Sequence, residues 1–290
     1  MEIKSNSDPA APAASSAGGA TPRYDQDQVR DFWRVQAVEH GQSSAASWSD
    51  APVIALEIEN MARYLSDGDQ VLDVGCGLGH EVRRLAQQVG PQGRVVGIDA
   101  NSAMITEARR RGAGLALPIS FEVGDAHQVG LPDGSFDLCR TERVLRYVGR
   151  PEAVLAAMVR LTRPGGFVLA FDFDSDQTVV DAPDPALVRR IAEVLDAAVP
   201  HPWIGRQLFR LFRRAGLHDV RVVPHALFFS GAAGFAVYQR LNQGTIDRAV
   251  QAGQLSAREA AAWWAGLERA AEAETFFSAV LGFIAAGRTT

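Results

Sequence analysis

Lysine is almost missing from this chain. Its 290 residues hold one, Lys4. Beyond the first few residues there is no amine for a Schiff base and none for the lysine of a phosphate-binding loop. Cysteine is nearly as scarce, with Cys76 and Cys139 alone, each following or ending an apolar run. Two such thiols argue against a disulfide framework and against a zinc site. No apolar run approaches the roughly 20 residues needed to cross a bilayer. The first residues have no apolar signal core. A soluble cytoplasmic protein is expected. The net charge of -5 implies no surface for nucleic acid. The clusters Arg109-Arg110-Arg111 and Arg213-Arg214 each close a predicted helix, where cations are favourable.

What is present is apolar and periodic. With 47% hydrophobic and 22% charged residues, the composition suits one large α/β domain, or one domain with an added cap. The organising stretch is Val71-Leu72-Asp73-Val74-Gly75-Cys76-Gly77-Leu78-Gly79. Its apolar run reads as a buried strand. Three alternating glycines then allow positive φ and close approach of a ligand. His80 to Val89 follows with Val82, Leu85, Ala86 and Val89 at helical spacing. A second strand, Val95 to Asp99, ends in a carboxylate about 20 residues past Gly79, where an acidic side chain can accept from two ribose hydroxyls.

The dinucleotide fingerprint is G-x-G-x-x-G. Here the third glycine comes one residue early and His80 stands in its place. The pattern continues through Gly124-Asp125-Ala126, Phe136-Asp137-Leu138 and Arg163-Pro164-Gly165-Gly166. In this order, over roughly residues 60–175, the chain resembles the class I S-adenosylmethionine-dependent methyltransferases of the quinone and natural-product type. The resemblance implies a Rossmann-like sheet of seven mostly parallel strands in the order 3-2-1-4-5-7-6, the last antiparallel, with helices on both faces. It implies S-adenosyl-L-methionine as cofactor and S-adenosyl-L-homocysteine as product. The methyl group would pass to an oxygen, nitrogen or carbon of a small, apolar or aromatic metabolite. The same fold with cofactor bound also serves as a non-methylating cyclase or ligand-binding protein, and the motifs do not separate these readings. Cofactor contacts are expected from Asp73, Gly75, Cys76, Gly77, Gly79, Asp99, Ala100, Met104, Asp125, Ala126 and Arg140. Asp125 would accept from the adenine amino group, and Met104 would pack on the ring.

The remaining chain supplies the surroundings. Residues 1–22, rich in Ala, Ser, Pro and Gly, are expected to be disordered. The methyltransferase domain then covers 23–290, with 23–66 as a helical lid and 232–274 as a helical insertion roofing the substrate. Substrate contacts are expected from Tyr24, Trp33, Glu142, Arg143, Tyr147 and Trp203, with His40 and Trp48 as further lid candidates. Ser102 is a candidate N-cap for a helix stopped by Gly112. The fifth strand is predicted over Phe167 to Phe173 and the closing strand over Phe276 to Ala285. Asp172, Asp174 and Asp176 alternate and would share one face of an extended chain. They suit a basic substrate, proton acceptance or Mg²⁺, or a plain solvated strand end; with no further ligand set visible, no metal is assigned. His127, His201, His225 and Asp174 are weak candidates for a base. No partner beyond a small molecule is expected, and a monomer or homodimer suits the chain.

Overall fold

A computed structural model of the chain describes residues 64–290. Tyr24, Trp33, His40, Trp48, the 1–22 tail and all but the end of the 23–66 lid lie outside the described residues. The elements are β1 (Gln70–Val74), α1 (His80–Val89), β2 (Arg94–Asp99), α2 (Ser102–Gly112), β3 (Ile119–Val123) and β4 (Phe136–Glu142). They continue with α3 (Pro151–Leu161), β5 (Thr162–Val180), α4 (Pro185–Ala197), α5 (Ile204–Arg214), β6 (His218–Ser230), α6 (Gly231–Gln251), α7 (Ala257–Glu272) and β7 (Phe277–Arg288). The seven strands form one sheet in the order β3-β2-β1-β4-β5-β7-β6. β1 to β5 run parallel. β7 runs antiparallel between β5 and β6.

Side-chain alternation splits the sheet into two cores. Val71, Val95, Leu138 and Leu169 pack with Val82, Leu85, Ala86 and Val89 of α1. Leu72, Val96, Cys139, Val168 and Ala285 pack on the other face with Val154, Leu155 and Met158 of α3 and Leu208 and Phe212 of α5. A third core stands apart from the sheet centre. It joins Ile191 and Val194 of α4 to Phe235, Tyr238 and Ile246 of α6 and Ala260, Trp263 and Leu267 of α7. The tryptophan pair is thus structural: Trp263 is buried and both rings lie against Tyr238. Among the described residues no helix is long and apolar enough to cross a membrane.

Four local expectations need correction. The cap of α2 is Asn101, whose side chain accepts from the N–H groups of Ala103 and Met104; Ser102 is already inside the helix. Gly112 is the last residue of α2 rather than its stop. β5 spans Thr162–Val180, not Phe167 to Phe173. Its start at Thr162 pairs with Phe136 of β4, and its extension past Phe173 comes from β7, which pairs with it from Phe167 to Asp174 and again from Thr178 to Val180 across a bulge. β7 itself reaches Arg288, three residues beyond Ala285, because its end pairs back to Phe167 and His218. Other features match the expected punctuation. Asp184 caps α4 ahead of Pro185, and Ser256 with Glu259 forms the capping box of α7.

Candidate functional site

The site grows from the turn after β1. The N–H groups of Gly75 and Cys76 donate to the Ile98 carbonyl at 2.7 and 2.9 Å. The Gly77 N–H donates to Asp99 Oδ2 at 2.9 Å, and the Asn101 N–H donates to Asp99 Oδ1 at 2.8 Å. One carboxylate therefore fastens the glycine turn to the start of α2. Burial raises the Asp99 pKa, against the pull of the two N–H donors. Gly75 and Gly77 have φ of 78° and 52°, the left-handed region that glycine enters without steric cost. They differ in what surrounds them. A Cβ at Gly75 would lie 2.2 Å from Val144 Cγ2, whereas one at Gly77 would meet nothing within 4 Å among the described residues. The space over Gly77 is open, and α1 begins beside it without a side-chain cap. That combination suits a ligand held by backbone N–H groups.

The other expected cofactor residues fall around this turn in different roles. Cys76 packs inward against Gly97, and burial lifts its thiol well above the ordinary range. Met104 packs on Leu78 of the turn. Ala100 is exposed beside Asp99, and Ala126 lies partly buried against the core. Asp125 is exposed after β3. Its Oδ1 accepts from the His127 N–H at 2.9 Å and lies 2.7 Å from His127 Nδ1. The His127 N–H bond leads the effects that lower the Asp125 pKa.

Arg140, expected to touch the cofactor, binds internal partners through its Nη groups, while its buried Nε has no hydrogen-bond partner among the described residues. It is 1% exposed. Nη1 donates to Asp73 Oδ1 at 2.9 Å and Nη2 donates to Glu142 Oε2 at 2.5 Å. Arg143 Nη2 lies 2.8 Å from the other oxygen of Glu142. Glu142, expected near the substrate, is thus the buried link between two arginines, while Arg143 is partly exposed. Burial works against ionisation of Glu142, but Arg143 and Arg140 outweigh it and hold the carboxyl below its ordinary range. Asp73 shows the opposite balance: burial outweighs Arg140 and pushes its pKa up to about 6. Glu81, in the first turn of α1, completes the cluster. It is 8% exposed, and burial pushes its pKa up to about 7.

The three aspartates of β5 do not act together. Asp172 accepts from the N–H groups of Arg146 and Phe173 at 3.1 and 3.0 Å, and burial lifts its pKa to about 6. Asp174 and Asp176 share Arg206: Nη2 reaches Asp174 Oδ1 at 2.6 Å and Asp176 Oδ2 at 3.0 Å, and Nε also bonds Asp174. Asp174 is fully buried in that clamp, which corrects its place among the candidate bases. His201 lies with Nε2 at 3.0 Å from the Val148 carbonyl. His225 is buried against the Phe171 ring. Trp203 is half exposed with Arg206 5.7 Å from its ring, and Arg146 lies 5.4 Å from the Tyr147 ring.

Sequence reasoning missed Glu81, Arg146 and Arg206. Only Glu81 carried a signal. It stands four residues before Leu85, on the buried stripe of α1, where a carboxylate is out of place.

Residues 65–216 match the methyltransferase domain family. A 37.1 kDa protein of unassigned function from transposon Tn4556 of Streptomyces fradiae is 39% identical over 224 residues, covering 77% of this chain and 63% of the relative. The ubiquinone/menaquinone biosynthesis C-methyltransferase UbiE of Neisseria meningitidis is 38% identical over 112 residues, covering 38% of this chain and 45% of that protein. The chain therefore spans less than two thirds of the curated relatives it matches. Among solved structures, phosphoethanolamine N-methyltransferase 2 of Haemonchus contortus, in complex with phosphomonomethylethanolamine and S-adenosylhomocysteine, superposes with a TM-score of 0.56. That match has 17% identity and covers 90% of this chain and 60% of the other, a likeness of fold.

Proposed function

The chain belongs to the class I S-adenosylmethionine-dependent methyltransferases, and from that premise we propose that it methylates a small metabolite with S-adenosylmethionine. The observation that carries this reading is the open volume over Gly77, framed by a turn that Asp99 fastens. A ligand can approach that backbone where a side chain would otherwise stand. Asp99 uses one acceptor site on each oxygen for the turn. Each oxygen keeps capacity for a ribose hydroxyl. Asp125 uses Oδ1 for His127 and has a second oxygen for an exocyclic amine. Met104 and Leu78 pack together beside the turn. When bound, the cofactor supplies a methyl group already activated by a cationic sulfur. The protein's share is to align the acceptor and keep water away.

The acceptor is a small, apolar or aromatic molecule in this reading, in the manner of the quinone C-methyltransferase relatives. Tyr147 and Trp203 are its proposed contacts here, with the segment 23–66 and the helices α6 and α7 as its cover. His127 is the proposed proton acceptor where the acceptor atom carries a proton, since it is the partly exposed histidine beside the turn-forming residue Asp125.

Asp99→Ala tests the cofactor assignment. It removes the ribose acceptor and unfastens Gly77 together. Affinity for S-adenosylhomocysteine should fall by at least the roughly 1.5–3 kcal/mol of a hydrogen bond to a charged group. Titration calorimetry reads this directly, and unchanged affinity would remove Asp99 from the site. Transfer of labelled methyl from S-adenosylmethionine to hydroxylated quinones tests the acceptor class.

A further inference from the structure

We propose that Glu81 is a cofactor-binding residue that receives the α-ammonium group of S-adenosylmethionine. This inference rests on the cofactor reading above and adds a residue to it. The residue is 8% exposed, yet neither carboxylate oxygen, each itself buried, has a hydrogen-bond partner among the described residues. Arg84 Nη1 stands 3.7 Å from Oε1, outside hydrogen-bonding distance. A buried carboxylate without a donor costs several kcal/mol in a finished core. Such a group is better explained as half of a pair whose other half is a ligand.

Its surroundings say which kind of ligand. Glu81 lies two residues past Gly79, in the first turn of the helix that opens over the glycine turn. The charged groups that act on it are Arg140 and Glu142 of β4, Arg84 of its own helix and Asp73 of β1. Arg140 is already held by Asp73 and Glu142, and Glu142 is also held by Arg143. Within this cluster the carboxylates of Asp73 and Glu142 are bonded to Arg140, and Glu142 also to Arg143, whereas Glu81 has only Arg84 at ion-pair distance. Glu81 is the carboxylate of the three that no arginine hydrogen-bonds among the described residues. An ammonium supplies the missing donors and a positive charge closer than Arg84. An anionic or apolar group would leave the carboxylate without a donor.

The titration supports the geometry. With its pKa at about 7, Glu81 is partly protonated near neutrality in the free protein. Only the carboxylate pairs with an ammonium, so binding must expel a proton. Affinity should therefore rise as pH increases through the Glu81 pKa and level off above it.

The test is titration of the whole protein with S-adenosylhomocysteine and with 5′-methylthioadenosine, which keeps the adenosine and lacks the amino acid. Buffers of different ionisation heat count the protons released. Glu81→Gln, nearly isosteric, should weaken S-adenosylhomocysteine by roughly ten- to hundredfold. It should abolish most of the proton release near neutral pH and leave 5′-methylthioadenosine unchanged. Glu81→Asp should recover part of the affinity. A variant that binds S-adenosylhomocysteine normally with undiminished proton release overturns the proposal. So does one that loses both ligands equally. Circular dichroism separates loss of fold, and then the wild-type protein decides: N-acetylated S-adenosylhomocysteine should bind weakly and release no proton, and equal binding overturns the proposal. Failure of the wild-type protein to bind either adenosine compound would instead overturn the cofactor reading itself.

Discussion

Replacing Arg140 by methionine is expected to destabilise the fold by about 3–5 kcal/mol, the cost of leaving buried charges without their partner. The side chain is 1% exposed and its two Nη groups are bound to Asp73 and Glu142. Methionine matches its length but supplies neither charge nor donor. Asp73 and Glu142 would then be near-neighbour carboxylates in a dry setting. The pH dependence of the loss has a definite sign. Asp73 already has its folded pKa raised to about 6. Without Arg140 it would rise further, so the folded variant binds a proton that the unfolded chain has released. The variant should lose stability as pH rises from the ordinary aspartate range towards the raised value. It should recover relative to wild type as pH falls and the proton stands in for the arginine. Urea unfolding at several pH values measures this. A loss under about 1 kcal/mol at neutral pH would show the cluster to be hydrated rather than buried. Adding Asp73→Leu to Arg140→Met should restore part of the loss, because an apolar pair can replace a buried ion pair.

This cluster also marks where the sequence stops being readable. Arg140 sits at the end of β4 next to a glycine-rich turn, and proximity in the fold suggested a ligand contact. What decides its role is two carboxylates, one of them 67 residues away on β1. Strand pairing of β1 with β4 brings Asp73 opposite Arg140. That register is a tertiary fact with no local periodicity behind it. The same holds for Arg206, which reaches back 32 residues to clamp Asp174. It holds also for β5, whose added length follows from a partner strand more than 100 residues later. By contrast, the order of strands and helices was legible because each apolar stripe carries its own period. Val82, Leu85, Ala86 and Val89, or Val154, Leu155, Met158 and Leu161, are buried as their spacing requires. The cap helices were legible as helices through Asp184 and the Ser256–Glu259 box. Their packing on each other through Trp263 and Tyr238 was half legible, since paired tryptophans on a stripe favour a core. The glycine turn was legible in chemistry, and the structure adds the separation between Gly75 and Gly77.

That separation carries the second large effect. Gly77→Val should abolish cofactor binding while the sheet stays folded. Both glycines have left-handed φ, so either substitution carries a backbone strain of about 1–2 kcal/mol. The two part ways beyond that strain. A side chain at Gly75 meets Val144 at 2.2 Å, a contact that must be relieved by moving the loop after β4. Gly75→Val should therefore lower stability well beyond the strain itself, and its binding defect would follow from a distorted turn. A side chain at Gly77 meets nothing within 4 Å and projects into the open volume, so the folded state tolerates it. It then occupies the space that a ligand lying on the turn requires. Unfolding midpoints for both variants, with titrations of S-adenosylmethionine and S-adenosylhomocysteine, separate the two cases. The expected pattern is near-native stability without binding at Gly77, and lost stability at Gly75. If Gly77→Val binds within a few-fold of the wild type, the open volume is not where the cofactor lies. The turn would then be a brace between β1 and α1, with Asp99 acting only as its fastener.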